Sequence, residues 1–221
     1  MPKESYRNQS RKEIIQFLPQ KISMTLEIGC GEGSFSKNIK CSGEKWGIEP
    51  DSKAANIAKN VFDKVLIGTF DIVKADLPKN YFDLVICNDV IEHMEDHEKF
   101  LKEIREYMTE DAALVGSIPN VRHYKNIFHL LIVKDWEYTE WGTLDRTHFR
   151  FFTEKSLRRA LKQAGFEIEK FQGINGKIEF GLSKWKLAYL VFYVISRAIS
   201  LGGARDIGHL QFGFRARLRR R

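Results

Sequence analysis

Leu26-Glu27-Ile28-Gly29-Cys30-Gly31-Glu32-Gly33 is a buried strand that breaks into a glycine-rich turn. Met24, Leu26 and Ile28 supply apolar residues at alternate positions, and Gly29, Gly31 and Gly33 follow at every second place. Glycine accepts positive φ and lets the backbone approach a ligand that a Cβ would hold off. A strand, such a turn and a following helix, here expected from about Ser34, form the nucleotide-binding corner of an open α/β sheet. Glu27 matters as much as the glycines. A pyrophosphate favours neutral or basic surroundings at a helix N-terminus, whereas a carboxylate beside the turn suits a ligand that carries positive charge.

Two further signals lie downstream. Lys45-Trp46-Gly47-Ile48-Glu49-Pro50-Asp51 reads as a second strand ending in an acid, about 20 residues after the turn, the distance at which a carboxylate accepts the hydroxyls of an adenosine ribose. Tyr81-Phe82-Asp83-Leu84-Val85-Ile86-Cys87-Asn88-Asp89-Val90-Ile91-Glu92-His93 reads as a long apolar strand with a polar loop after it. A glycine turn alone is shared with nicotinamide oxidoreductases, but the three signals in this order resemble the class I S-adenosylmethionine (SAM)-dependent methyltransferases. The resemblance implies SAM as cofactor. Glu27, Gly29, Cys30, Gly31 and Gly33 would then hold its methionine end, Glu49 its ribose, and Pro50 would lie beside the adenine. Family members often carry an acid after the third strand. Here that place reads Gly68-Thr69-Phe70-Asp71, so the acid is either lost or displaced to Asp71, and the resemblance assigns Thr69 and Phe70 to the adenine. Asn88 and Asp89 would line the sulfonium side.

The rest of the chain alternates in the same manner. A short helix over Glu13–Leu18 stops at Pro19, and strands follow at Thr25–Ile28, Lys45–Ile48, Lys64–Ile67, Phe82–Asn88 and Ala112–Ile118. Asp51 or Ser52 caps a helix running to about Asn60, and Phe100, Leu101, Ile104, Tyr107 and Met108 share one helical face. Thr153 reads as an N-cap and Gly165 as the end of that helix, and strands at Phe166–Gln172 and Gln211–Arg217 complete seven. The fold class is α/β: a single domain with a doubly wound, seven-stranded, mostly parallel Rossmann-like sheet and helices on both faces. The antiparallel last strand is implied by the resemblance. Residues 120–152 are aromatic-rich and irregular, the natural place for a substrate lid.

Bulk properties exclude several classes. The 43% hydrophobic and 29% charged content is that of an ordinary globular chain. Cys30, Cys41 and Cys87 show neither metal-ligand spacing nor a disulfide framework, and the polar start, Met1–Lys12, has no apolar core of the secretory kind, so a cytoplasmic location is expected. Of the net charge of +7, residues 201–221 carry +5 through Arg205, Arg215, Arg217, Arg219, Arg220 and Arg221 against Asp206. The near-neutral remainder argues against a nucleic-acid partner. The apolar stretch 184–201 is too short to span a bilayer. Two readings stand for it. One is a helix packed in the protein or in a homodimer. The other is a helix at the inner face of a membrane, with Lys184, Lys186 and Arg197 toward headgroups and the basic C-terminus beside it.

If the methyl acceptor is a hydroxyl, a general base must take its proton. His148, in Asp145-Arg146-Thr147-His148-Phe149-Arg150, is the first candidate, His93 the second and His123 the third. His93 and His97 are four apart, but no metal-binding motif surrounds them, and no metal is expected. Ser117-Ile118-Pro119-Asn120-Val121-Arg122-His123-Tyr124, Trp136-Glu137-Tyr138-Thr139 and the stretch Asp145–Thr153 resemble a bacterial branch of small-molecule methyltransferases that often accompany glycan biosynthesis. That likeness implies O-methylation of a sugar or glycan precursor, with Asn120, Arg122, Tyr124, Asp145, Arg146 and Arg150 toward an acidic acceptor. The alternatives are a lipid-like or quinone-type phenol, which the apolar helix would serve, and a non-catalytic SAM-binding regulator.

Overall fold

The computed structural model describes residues 10–176, 183–200 and 203–219. Its centre is β4 (Phe82–Asn88), whose Leu84, Val85, Ile86 and Cys87 are fully buried. A strand covered on both faces needs such a continuous apolar run. Alternation sorts its side chains. Leu84 and Ile86 pack with Ile14 and Phe17 of a 3₁₀ turn at Lys12–Phe17. Val85 and Cys87 face the larger cluster that includes Phe100, Leu101, Ile104, Leu157 and Leu161.

Around it lie β1 (Thr25–Ile28), β2 (Lys45–Glu49), β3 (Lys64–Ile67), β5 (Met108–Pro119), β6 (Phe166–Ile174) and β7 (Gln211–Leu218). The order is β3-β2-β1-β4-β5-β7-β6. β1 to β5 pair in parallel, and β7 runs antiparallel to both β5 and β6. The helices are α1 (Ser52–Ala58), α2 (Phe70–Val73), α3 (His97–Glu103), α4 (Tyr124–Phe128), α5 (Glu154–Gln163) and α6 (Lys184–Ile199). Asp51 caps α1 by accepting from the amides of Lys53 and Ala54. The seven-stranded sheet with its reversed β7 is the architecture read from the sequence.

Three local expectations change. The helix expected from about Ser34 is only a 3₁₀ turn at Ser36–Asn38. Here the Asn38 amide donates to the Ser34 carbonyl and the Ser36 hydroxyl to Glu27, so short polar side chains bond locally in place of continuing a helix. The helical face from Phe100 to Met108 is buried as expected, but α3 tightens into a 3₁₀ turn at Ile104–Tyr107 and Met108 already opens β5. Within 120–152, α4 continues into a π-helical turn at His129–Val133, ended by Lys134 with φ of 63°.

α6 resolves on one side only. Tyr189, Tyr193 and Phe192 pack on α4, with ring centroids 4.9 Å apart for Phe128–Tyr189 and 5.5 Å for both Tyr124–Tyr193 and Phe128–Phe192. Its other side leaves Trp185, Leu187, Val191, Val194 and Ile195 exposed. Among the described residues no helix is long and apolar enough to cross a membrane. The basic C-terminus is partly strand: Arg215 and Arg217 sit on β7 and pair with Glu169 at 2.9 and 2.7 Å. Residues 1–9, Leu201, Arg220 and Arg221, named in the sequence reading, lie outside the described residues.

α5 begins with a reciprocal cap, the Thr153 hydroxyl accepting from the Ser156 amide while the Ser156 hydroxyl accepts from the Thr153 amide. Thr153→Ala should cost about 1 kcal/mol, and Phe17→Ala, which empties a fully buried site under β4, about 3–5 kcal/mol. Urea unfolding of the two variants checks the order, and equal losses would contradict this account of the core.

Candidate active site

A pocket of about 530 Å³ opens at the C-terminal ends of β1, β2 and β4. It lies where the chain leaves β1 toward β2 on one side and β4 on the other, the switch point at which doubly wound sheets bind ligands.

Glu27, Gly29, Cys30 and Gly31 line this pocket from the first turn. Gly29 has φ of +67°, and a Cβ there would stand 2.8 Å from Val90 Cγ2, so the backbone is exposed to the cavity at a position no larger residue can take. Glu49 fixes the turn: its carboxylate accepts from the Gly31 amide at 2.8 Å and the Asp51 amide at 3.0 Å. Glu27 accepts from the Ser36 hydroxyl, and burial pushes its carboxyl up to about 8. Gly33 behaves differently. It is not among the described residues of the wall, and a Cβ there would press on Val61 and Phe62 at 3.0 Å. Its lack of a Cβ serves close packing against those two side chains.

Pro50, Thr69 and Phe70 line the pocket, as do Asn88 and Asp89. Among the described residues neither polar atom of the buried Asn88 amide has a partner, leaving a donor and an acceptor for a ligand. Asp89 is committed elsewhere. At φ of 53°, its carboxylate accepts from Arg11, from the Ser117 hydroxyl at 2.8 Å and from the Gln211 amide at 2.8 and 2.9 Å. Asp89 thus lines the pocket with its charge answered inside the protein.

The histidines separate. His93, in the 3₁₀ turn Ile91–His93, lines the pocket with Met94 and Thr147. His148, the first candidate, lies behind it, buried, with ring centroids 4.6 Å apart at 71°. Burial holds its imidazole below the ordinary range, and Nδ1 lies 3.0 Å from the Thr143 carbonyl. His123 precedes α4 and packs on Tyr124 at 4.4 Å, off the described wall. Glu92, which the sequence reading passed over, is buried, and among the described residues neither carboxylate oxygen has a hydrogen-bond partner. Burial drives its carboxyl well above the usual range. Glu92, His93 and His148 offer ligand atoms that lie within 4.8 Å of one another, a trio that residue spacing could not reveal.

The six residues assigned to an acceptor stand off the described wall. Asn120 donates to the Asp206 and His209 carbonyls, Arg122 pairs with Asp206 at 2.6 Å, and Tyr124 is buried beside Tyr193. Asp145 accepts from the amide and hydroxyl of Thr147. Arg146 pairs with Glu140, and Arg150 donates to the Glu95 carbonyl. The wall instead recruits Arg11, Ser34, Phe35, Met94 and Thr147. Arg11 comes from a segment remote from the motifs, whereas Ser34 and Phe35 follow the glycine turn, Met94 follows His93 and Thr147 precedes His148, where the fold and not the local sequence turns them to the wall.

Residues 4–170 match the methyltransferase domain family. Curated relatives include a ubiquinone biosynthesis O-methyltransferase of Neisseria meningitidis, 21% identical over 84% of this chain and 74% of that protein. Another is a (S)-tetrahydroprotoberberine N-methyltransferase of Eschscholzia californica, 27% identical over 50% of this chain; the match spans about a third, 34%, of that protein's length. Among solved structures, a SAM-dependent methyltransferase from Archaeoglobus fulgidus shares the fold with a TM-score of 0.62 at 20% identity, covering 97% of this chain and 93% of its own. One from Mesorhizobium loti does so at 0.59 and 16%, covering 93% and 95%. With the glycine turn, the two acids and the reversed last strand in place, the chain belongs to the methyltransferase domain family and is a class I SAM-dependent methyltransferase.

Proposed function

We propose that this enzyme methylates a hydroxyl oxygen of a small, apolar, phenol-type acceptor, and that the acceptor enters over Met94 and His93. The observation that carries this reading is the corner formed by His93 on the pocket wall with His148 and Glu92 directly behind it. An acceptor hydroxyl must lose its proton as the new bond forms, and titratable groups gathered at this corner support a role in that step. SAM, when bound, supplies a methyl group already activated on a sulfonium. The residues present fit it: the backbone cradle at Gly29 and Gly31, the acids Glu27 and Glu49, and the unpartnered amide of Asn88. The protein's own task is then to hold the two reactants in line.

An oxygen acceptor is also what the ubiquinone-pathway relatives name. The sugar or glycan reading came from a family likeness, and the arginines expected to meet an acidic acceptor, Arg122, Arg146 and Arg150, stand off the described wall. The exposed apolar side of α6, flanked by Lys184, Lys186 and Arg197, supports uptake of the acceptor from a membrane surface.

Calorimetry should show SAM binding and no comparable NAD binding, with Glu49→Gln weakening SAM at least tenfold. With labelled SAM, a panel of catechols, quinols and nucleotide sugars should yield labelled phenols. Labelled sugar without labelled phenol would overturn the acceptor class.

Glu27 makes a second expectation. In the free protein its carboxyl, near 8, holds a proton at pH 7, whereas a cationic ligand favours the carboxylate. SAM binding at pH 7 should therefore release a proton, measured by calorimetry in buffers of different ionisation enthalpy, and Glu27→Gln should abolish the release. The same shift appears in stability. The unfolded carboxyl ionises at about 4.5 and the folded one at about 8, so Glu27 favours folding below pH 4.5 and that contribution is lost as pH rises to 8. Glu27→Gln should gain relative stability across that window, and a constant difference would refute the burial argument.

A further inference from the structure

We infer that Glu92, His93 and His148 form a binding site for one divalent transition-metal ion at the acceptor side of the pocket. The inference rests on the methyl-transfer reading above and deepens it by naming what activates the hydroxyl.

The hydrogen bonds fix which ring nitrogens are free. His148 Nδ1 stands 3.0 Å from the Thr143 carbonyl, an acceptor, so Nδ1 carries the proton and Nε2 keeps its lone pair. His93 Nδ1 is 3.1 Å from both the carbonyl and the hydroxyl oxygen of Thr147. That hydroxyl gives its own hydrogen to Asp145 at 2.7 Å, so it too accepts from the ring, and Nε2 of His93 is again free. Metal-binding histidines are held in this manner, the second nitrogen donating to a backbone carbonyl.

The third group is a carboxylate with an unmet need. Glu92 is 1% exposed, and among the described residues neither oxygen has a partner. A buried carboxyl left without partners costs stability, and a cation would satisfy both oxygens. Its orientation is not incidental: the Glu92 carbonyl accepts from the amides of Phe149 and Arg150 at 2.9 and 3.1 Å, which docks the loop carrying His148 against the turn carrying His93. One ring nitrogen from each histidine and one Glu92 oxygen lie within 4.8 Å of one another. Ligands about 2.1 Å from an ion stand roughly 3–4 Å apart, so side-chain rotations of about 1 Å close the site. Two imidazoles and one carboxylate suit Zn²⁺ or another first-row divalent ion and leave a position open for an outside ligand.

That open position would take the acceptor oxygen. An ion held by these residues would lower the pKa of a hydroxyl bound there, whose proton would leave to water. The oxygen's electron pair then forms the C–O bond to the methyl group as the C–S pair returns to sulfur, giving the ether and a neutral thioether.

The test uses the full chain, stripped with chelator and dialysed. Co²⁺ titration followed by visible absorption, and Zn²⁺ titration by calorimetry, should show one ion per chain. Glu92→Gln and His148→Ala should each weaken it at least tenfold, while His97→Ala leaves it unchanged. SAM binding by each variant reports that the fold and the cofactor site survive. Chelation should abolish methyl transfer without changing SAM affinity. A protein that binds SAM but takes up neither ion, or whose uptake ignores both ligand substitutions, would overturn the inference while leaving the methyltransferase reading intact. Loss of SAM binding in the unsubstituted, metal-free protein would strike the methyl-transfer reading instead.

Discussion

Everything around the pocket depends on one buried carboxylate. Asp89 follows β4 at a left-handed φ of 53° and is 6% exposed. Such a charge must be answered by direct partners, because an unpaired ion in the interior costs several kcal/mol. The partners come from three remote segments: Arg11 before the first turn, Ser117 near the end of β5 and Gln211 at the start of β7. Arg11 also reaches the Ser117 hydroxyl at 2.8 Å. The cluster therefore pins the N-terminal segment against the open end of the sheet and registers the reversed β7 on β5. Arg11 becomes part of the pocket wall as a consequence of solving a charge problem in the fold.

This arrangement sorts the acids of the pocket into two kinds. Asp89 is neutralised from within. Glu27 and Glu49 are held by hydroxyl and backbone donors, Ser36 for the one and the Gly31 and Asp51 amides for the other. Those donors orient a carboxylate without cancelling its charge. At pH 7 Glu27 keeps its proton until a cationic ligand favours the carboxylate, so the glycine turn becomes fully negative only on binding, while the end of β4 is already balanced.

The strands were legible from apolar runs in the centre of the sheet and apolar–polar alternation at its edge: β3, β4 and the cap of α5 fall where the residues put them. Glu27, Gly29 and Glu49 were legible because their motif is local, with the spacing set by one strand–turn unit. What failed was non-local. Arg122 looked available until Asp206, 84 positions later, reached it at 2.6 Å. Asp89 reaches the pocket as expected, but the partners that answer its charge lie 28 to 122 positions away and could not be seen in its local sequence. Gly33 fits the motif yet serves Val61 and Phe62. The turn after Gly33 misled through composition: Ser34, Ser36 and Asn38 can enter a helix, but their side chains found nearer backbone and carboxylate partners.

The histidines show the same limit from the other side. His93 and His148 were each visible as reactive residues, but neither shows from sequence which one the pocket presents. The turn at Ile91–His93 decides it, because that turn is the direct continuation of β4. Its backbone carbonyl at Glu92 anchors the 148 loop, and its next side chain, His93, enters the wall. On the proposed reading, the cofactor side and the acceptor side of the pocket are built on one strand end, Asn88 to His93. Positioning two reactants to within a fraction of an ångström requires such a shared support. A catalytic histidine on the 120–152 segment alone would have had to be held by loop contacts. Set behind His93, His148 gains the support of the sheet.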